Sequence, residues 1–256
     1  MFGKIRSIFG GGANEKRAQL PRPTRETIFA PQQNFWAIGD IHGCNDNLDR
    51  ALEHIKDDFV VTLGDMVDRG PQSADVLTRL WRLQTDKPSQ VVCLMGNHEQ
   101  MLLEFIDDPA GLGARWLSFG GRETLESFGI SDASKRPDAE EALELADRFE
   151  DALPEGMQNW LRNLPISWST GNIWCVHAGM NPKREPEKQS ERTLLWGHPE
   201  FYSASRDDDI CVVHGHTIME KAGISDGRIA LDTGAYQGRG LTAGHITTAG
   251  CILKTF

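Results

Sequence analysis

From Phe35 onward the chain alternates apolar runs of four to six residues with longer amphipathic stretches. FWAI (35–38), FVVTL (59–63) and QVVCLM (90–95) are rich in β-branched residues and lack polar alternation, so they predict strands buried on both faces. Between and after them, Asn45 to about Lys56, Ala74 to Leu83 and Gln100 to Ile106 carry apolar residues at helical spacing. Strands separated by helices in this way form parallel βαβ units, so the fold class is α/β. The turns GDIHG, GDMVDRG and GNHE then fall at the carboxyl ends of neighbouring strands, the edge where open α/β sheets bind ligands. IWCV (173–176), ICVV (210–213), RIAL (228–231) and LTAGHIT (241–247) predict further strands that together form a second sheet.

Two stretches break this rhythm. Residues 1–30 combine Gly10-Gly11-Gly12 with scattered charge and two prolines, and predict a mobile tail ahead of a single domain over 31–256. The rival for its first residues is a short membrane-surface helix built on Phe2, Lys4, Ile5 and Phe9. Residues 109–165 predict a mostly helical insertion, with Leu143, Leu145, Phe149, Leu153, Trp160 and Leu161 at helical spacing after the mixed aromatic and glycine segment RWLSFGGR (115–122). Such an insertion either packs as core or shapes a substrate groove beside the ligand-binding edge.

With 256 residues, 39% of them hydrophobic and 25% charged, the chain can bury one large core. No apolar run approaches the roughly 20 residues that a membrane-spanning helix needs, and the N-terminus lacks the apolar stretch and cleavage site of a secretory signal. The five cysteines show no metal-clip spacing, which suits buried thiols in a reducing compartment and predicts a cytoplasmic protein. A net charge of −10 argues against a nucleic-acid surface. It is compatible with a phosphate substrate, because bound divalent cations reverse the local field.

The turns carry the chemistry. Asp40 and His42 are two residues apart in a glycine-flanked loop, so an oxygen and a nitrogen donor can converge on one cation. Asp65, at the end of the adjacent strand, is placed to bridge to a second cation, about 3.5 to 4 Å away in two-metal sites. Asn97 and two later histidines complete the set, with a shared, acidified hydroxide as nucleophile. Mixed oxygen and nitrogen donors suit Mn, Fe or Zn better than an all-oxygen Mg or Ca cage. For the last nitrogen, His214 and His216 compete on either side of Gly215.

GDIHG, GDMVDRG, GNHE, HAG (177–179) and GHT (215–217), in this order from Gly39 to about Tyr236, resemble the phosphoprotein phosphatase family of metal-dependent serine/threonine phosphatases, particularly its bacterial branch, within the broader calcineurin-like metallophosphoesterases. The resemblance implies a double β-sandwich flanked by helices. It implies two divalent metal ions, Mn before Fe or Zn, with Asp40, His42 and Asp65 on one and Asp65, Asn97, His177 and His216 on the other. By the same resemblance His98 is the general acid, Asp68 orients it, and Arg69 clamps phosphate beside Asn97. Bacterial relatives carry a second phosphate-binding Arg two residues after the Trp of an LLW segment, where this chain has His198. His198 itself, Arg192 or Arg206 can fill that role, and Tyr236 can line the site.

Three functions remain open. The first is hydrolysis of phosphoserine or phosphothreonine in proteins, by in-line attack without a phosphoenzyme intermediate. The second is hydrolysis of a small phosphoester such as a dinucleoside tetraphosphate. The third, an inactive regulator that binds phosphorylated partners, is disfavoured by the retention of every implied ligand and of the Asp68 and His98 pair.

Overall fold

A computed structural model describes residues 18–20, 23–134 and 136–256. The chain begins with β1 (Phe35–Ile38), α1 (Asn45–Ile55), β2 (Val60–Thr62), α2 (Ser73–Asp86), β3 (Val91–Cys93) and α3 (Asn97–Asp107). The strands β1, β2 and β3 pair in parallel, as their uninterrupted apolar character requires. A 3-10 helix (Leu112–Phe119), α4 (Gly121–Ser127), α5 (Ala139–Ala152) and α6 (Met157–Arg162) follow and pack against α2 and α3. The second half holds β4 (Ser167–Thr170), β5 (Ile173–Val176), α7 (Glu191–Trp196), β6 (Cys211–His214), β7 (Gly223–Ser225), β8 (Arg228–Ala230), β9 (Thr242–Thr247) and β10 (Gly250–Thr255).

Two five-stranded mixed sheets result, ordered β10-β9-β1-β2-β3 and β4-β5-β6-β8-β7. LTAGHIT does not join the second sheet as its sequence suggested. As β9 it runs antiparallel to β1, with Phe35 opposite Ile246, so it covers the backbone edge of β1 that β2 leaves unpaired and places Ile246 in the core between the sheets.

Strand alternation builds two distinct cores. Phe35 and Ala37 of β1 face the second sheet and pack with Val61, Ile173, Cys175, Cys211, Val213 and Ile229. Trp36 and Ile38, one residue out of phase, face the helices with Leu48, Leu77, Leu80, Leu102 and Phe105. All five cysteines are free. Among the described residues no helix is long and apolar enough to cross a membrane.

Of the tail expected over residues 1–30, residues 1–17, 21 and 22 lie outside the described residues, as does the rival surface helix. The described remainder is tied to the second sheet. Ala18 donates to the Ile218 carbonyl and accepts from the Glu220 N–H. Asp226 accepts from the Thr24 hydroxyl at 2.7 Å and from the Thr24 and Arg25 N–H groups, and the Ala30 N–H donates to Asn172 Oδ1 at 2.8 Å. The glycine and charge content that suggested a tail says nothing of these longer-range partners.

Candidate metal centre and phosphate site

The motifs sit just beyond the carboxyl ends of parallel strands. Asp40 follows β1, Asp65 follows β2, Asn97 opens α3, His177 follows β5 and His216 follows β6. Among the described residues seven that are not glycine have positive φ, and five of them belong to these turns: His42, Asp65, Asp68, Arg69 and His216. Each such conformation costs on the order of 1 kcal/mol for an L-residue, so the surrounding structure must hold it in place. Gly96 and Gly215 let the candidate ligands approach closely. A Cβ on Gly96 would overlap Asp65 Oδ1, and one on Gly215 would overlap Asp40 Oδ1.

The donors form two groups that share Asp65: His42, Asp65 and His98 in one, and Asp65, His177 and His216 in the other. His42 Nδ1 donates to the Val67 carbonyl at 2.7 Å, which leaves Nε2 as a lone pair 3.5 Å from Asp65 Oδ2. His177 Nδ1 donates to the Leu63 carbonyl at 2.9 Å, so its Nε2 also presents a lone pair. That nitrogen faces Asn97 Oδ1 at 2.8 Å, His216 Nδ1 at 3.2 Å and Asp65 Oδ1 at 3.4 Å. His216 Nδ1 is in turn 2.8 Å from Asn97 Oδ1. Buried acceptors thus converge with almost no proton to share among them, a donor set that fits a cation.

Burial of the ionisable groups points the same way. Burial pushes His177 and His216 down to about 3, and holds His42 well below the usual histidine range, with Arg69 adding to the effect. The rings are therefore held neutral, the form in which an imidazole can bind a cation. Burial, then Asp232 and Asp65, pushes Asp40 well up, and Asp232 is pushed up to about 6, chiefly by burial. These carboxyls crowd one region and need positive charge to ionise together. Asp40 itself accepts the His216 N–H on both oxygens at 3.0 Å, and it lies beside the two nitrogen-rich groups rather than within either.

His98 lies on the first turn of α3, which starts three residues earlier than the periodicity suggests. Its Nδ1 donates to Asp68 Oδ2 at 2.5 Å, and its Nε2 accepts from Arg69 at 3.1 Å. Burial pushes the ring down to about 4 against the pull of Asp65. The second terminal nitrogen of Arg69 reaches His42 Nε2 at 3.1 Å, and the guanidinium lies 4.9 Å from the centre of the Tyr236 ring. Tyr236 also meets His42 edge to face at 5.3 Å, so it lines the site.

The other candidates stand apart. Arg206 is buried but committed elsewhere: it pairs with Asp208 and donates to the Asn181 and Arg184 carbonyls. Arg192 is exposed on α7. His198 is half-buried and accepts the Glu200 N–H on Nδ1 at 3.2 Å. His214 is fully buried with its ring edge against Phe201 and Tyr202, which leaves the nitrogen facing the centre to His216.

Sequence reasoning passed over Glu99. Its carboxylate is fully buried and accepts the N–H groups of Asp65, Met66, Val67 and Gly96 at 2.7 to 3.2 Å. Burial, then the Asp65 charge, pushes this carboxyl up, while the Gly96, Met66 and Asp65 N–H groups pull it down. A Glu at the third helical position of GNHE is the capping-box signal that could have revealed it. Trp116 is buried in the core, and its indole N–H goes to Asp68.

A family model described as calcineurin-like phosphoesterase matches residues 33–246. The chain belongs to that family. Among curated relatives it is 33% identical to the symmetrical bis(5'-nucleosyl)-tetraphosphatase of Dechloromonas aromatica (strain RCB), over 62% of this chain and 50% of that protein. It is 34% identical to serine/threonine-protein phosphatase 2 of Escherichia coli (strain K12), over 46% of this chain and 49% of that protein. The chain thus spans about half the length of these relatives. A solved structure provisionally described as a diadenosine tetraphosphatase shares the fold, with a TM-score of 0.62 at 21% identity over 90% of this chain and 97% of that one. As a metallophosphoesterase the chain has two sheets flanked by helices, as the motif resemblance implied.

Proposed function

We propose that this chain hydrolyses phosphomonoesters, with phosphoserine or phosphothreonine in proteins as substrate. The observation that carries this reading is the convergence of His42, Asp65, Asn97, His177 and His216 beside the His98, Asp68 and Arg69 cluster on one edge of the two sheets. His42 and Asp65, with Asp40 beside them, would hold one divalent cation, and Asp65, Asn97, His177 and His216 a second. When bound, the pair supplies positive charge and lowers the pKa of water, which provides the attacking oxygen.

The chain's own residues do the rest. Arg69 presents two terminal nitrogens toward the site and binds two phosphate oxygens, with the Tyr236 face behind the guanidinium limiting its freedom. As Arg69 turns to the phosphate, His98 Nε2 is released to carry a proton to the leaving oxygen, while Asp68 holds Nδ1. His198, standing where a second Arg is expected, lacks the forked donors of a guanidinium, so phosphate affinity rests mainly on Arg69 and the cations.

A second reading has its own support. Several curated relatives are symmetrical bis(5'-nucleosyl)-tetraphosphatases, at 33% identity over 68% of the chain for the Acidovorax sp. (strain JS42) protein. Dinucleoside tetraphosphate hydrolysis would use the same cations and Arg69, with a phosphate as leaving group in place of an alcohol. Assaying p-nitrophenyl phosphate, a phosphothreonine peptide and diadenosine tetraphosphate with Mn²⁺ tests both. Turnover of the peptide supports the protein-phosphatase reading, and turnover of the nucleotide alone overturns it.

A further inference from the structure

The insertion between α3 and β4 reaches the acid through two side chains. Trp116, in the 3-10 helix, is fully buried, and its indole Nε1 donates to Asp68 Oδ2 at 2.8 Å, with Oδ1 at 3.0 Å. Thr124, on α4, is also fully buried and donates from its hydroxyl to Asp68 Oδ1 at 2.7 Å. The same hydroxyl accepts the Asp68 N–H at 2.9 Å, so it grips that residue at backbone and side chain together. Between the two, the Gly120 carbonyl accepts the Arg69 N–H at 3.3 Å.

These contacts act where restraint is needed most. Asp68 and Arg69 are consecutive non-glycine residues with φ of 74° and 68°, an arrangement that does not hold itself. A carboxylate free to rotate would also let the His98 ring swing, because the 2.5 Å contact from Nδ1 is the one side-chain bond that orients it on that side. An indole N–H needs only some acceptor when buried, and any backbone carbonyl would serve. Here it meets the carboxylate that holds His98 Nδ1. Thr124 closes the remaining oxygen, so Asp68 has donors on both oxygens from the insertion and from the acid at once.

We propose that Trp116 and Thr124 are positioning residues for proton delivery by His98, acting through Asp68. This rests on the reading of His98 as the general acid. In the step concerned, the oxygen of water forms a new bond to phosphorus, the bond from phosphorus to the leaving oxygen breaks, and its electron pair stays on that oxygen. That oxygen takes a proton from His98 Nε2, which the ring has drawn from solvent once Arg69 has turned away, leaving a neutral ring whose Nδ1–H remains on Asp68, while the attacking water gives up its own proton to solvent. Such assistance matters in proportion to the basicity of the leaving oxygen. The insertion therefore favours alcohol leaving groups and is nearly idle for a nitrophenolate.

The test compares Trp116→Phe, Thr124→Val and His98→Asn, loaded with Mn²⁺, across aryl phosphates from 2,4-dinitrophenyl to phenyl phosphate. For the two insertion variants kcat on phenyl phosphate should fall about tenfold or more, within the range for misplaced acid catalysis, while kcat on the dinitrophenyl ester and both KM values stay near wild type. Thr124→Ser, which keeps the hydroxyl, should restore the wild-type dependence, and it keeps the test open if Trp116→Phe does not fold. His98→Asn must steepen the leaving-group dependence in the same sense. If it does not, the acid assignment fails. If it does, and the insertion variants slow every ester equally or none at all, the positioning role alone is overturned.

Discussion

Asp65 and Asp68 sit three residues apart in one loop, both buried and both at positive φ, and they are surrounded in opposite ways. Asp68 is met by protons: the Trp116 indole, the Thr124 hydroxyl and His98 Nδ1 all donate to it. Asp65 receives the His98 N–H at 3.1 Å, but its other near neighbours are the Nε2 atoms of His42 and His177, whose Nδ1 protons already point at carbonyls. A carboxylate whose lone pairs are met by the protein orients something. One surrounded by other lone pairs awaits a cation.

The sharpest way to break this contrast is to remove each carboxylate. Asp65→Ala should abolish turnover and lower the metal bound per chain, measured by elemental analysis after dialysis. Asp68→Asn should keep the metal and lose about 10² to 10⁴-fold in kcat, alongside His98→Asn, as expected for a misaligned or absent acid. Loss of metal from Asp68→Asn would show that the two carboxylates are not distinct in role.

Next in size comes Glu99, which ties the loop of Asp65 to the helix of His98. Glu99→Ala strands four buried N–H groups, each worth about 1 to 3 kcal/mol when left unpaired, so denaturant unfolding should report a loss of several kcal/mol. An unfolding midpoint near wild type would mean that the loop is held elsewhere.

The smallest effect is set far from the centre, at Asp226. Burial works against its ionisation but is outweighed by hydrogen bonds from Ser205, Thr24 and Arg228, which hold the carboxyl below the usual range. A depressed folded value means that this stabilisation is complete above the unfolded value near 3.9 and is lost as pH falls through the folded one. Asp226→Asn should therefore lower stability at neutral pH by about 1 to 3 kcal/mol and flatten the acid side of the stability profile, followed by thermal unfolding between pH 7 and pH 2.

Much of the centre was legible because its residues are local. GDIHG, GDMVDRG and GNHE each place donors within a few positions of a strand end, and the parallel pairing of β1, β2 and β3 follows from their apolar runs. What stayed hidden depends on partners distant in sequence. Trp116 and Thr124 meet Asp68 from 48 and 56 residues away, and nothing in RWLSFGGR or GRETLES marks a side chain aimed at a carboxylate. Arg206 could be proposed as a phosphate ligand because a charge in the right loop looks available until its partner Asp208 is seen. The placement of β9 beside β1 was equally non-local, since alternation in LTAGHIT fixes a strand but not its sheet.

The most direct measurement is a titration of chelator-treated protein with Mn²⁺, following p-nitrophenyl phosphate turnover and metal bound per chain together. A shared centre on Asp65 predicts no turnover without metal and a plateau at two equivalents per chain. Undiminished turnover with no metal bound, or full activity at one equivalent with no second site, would contradict it.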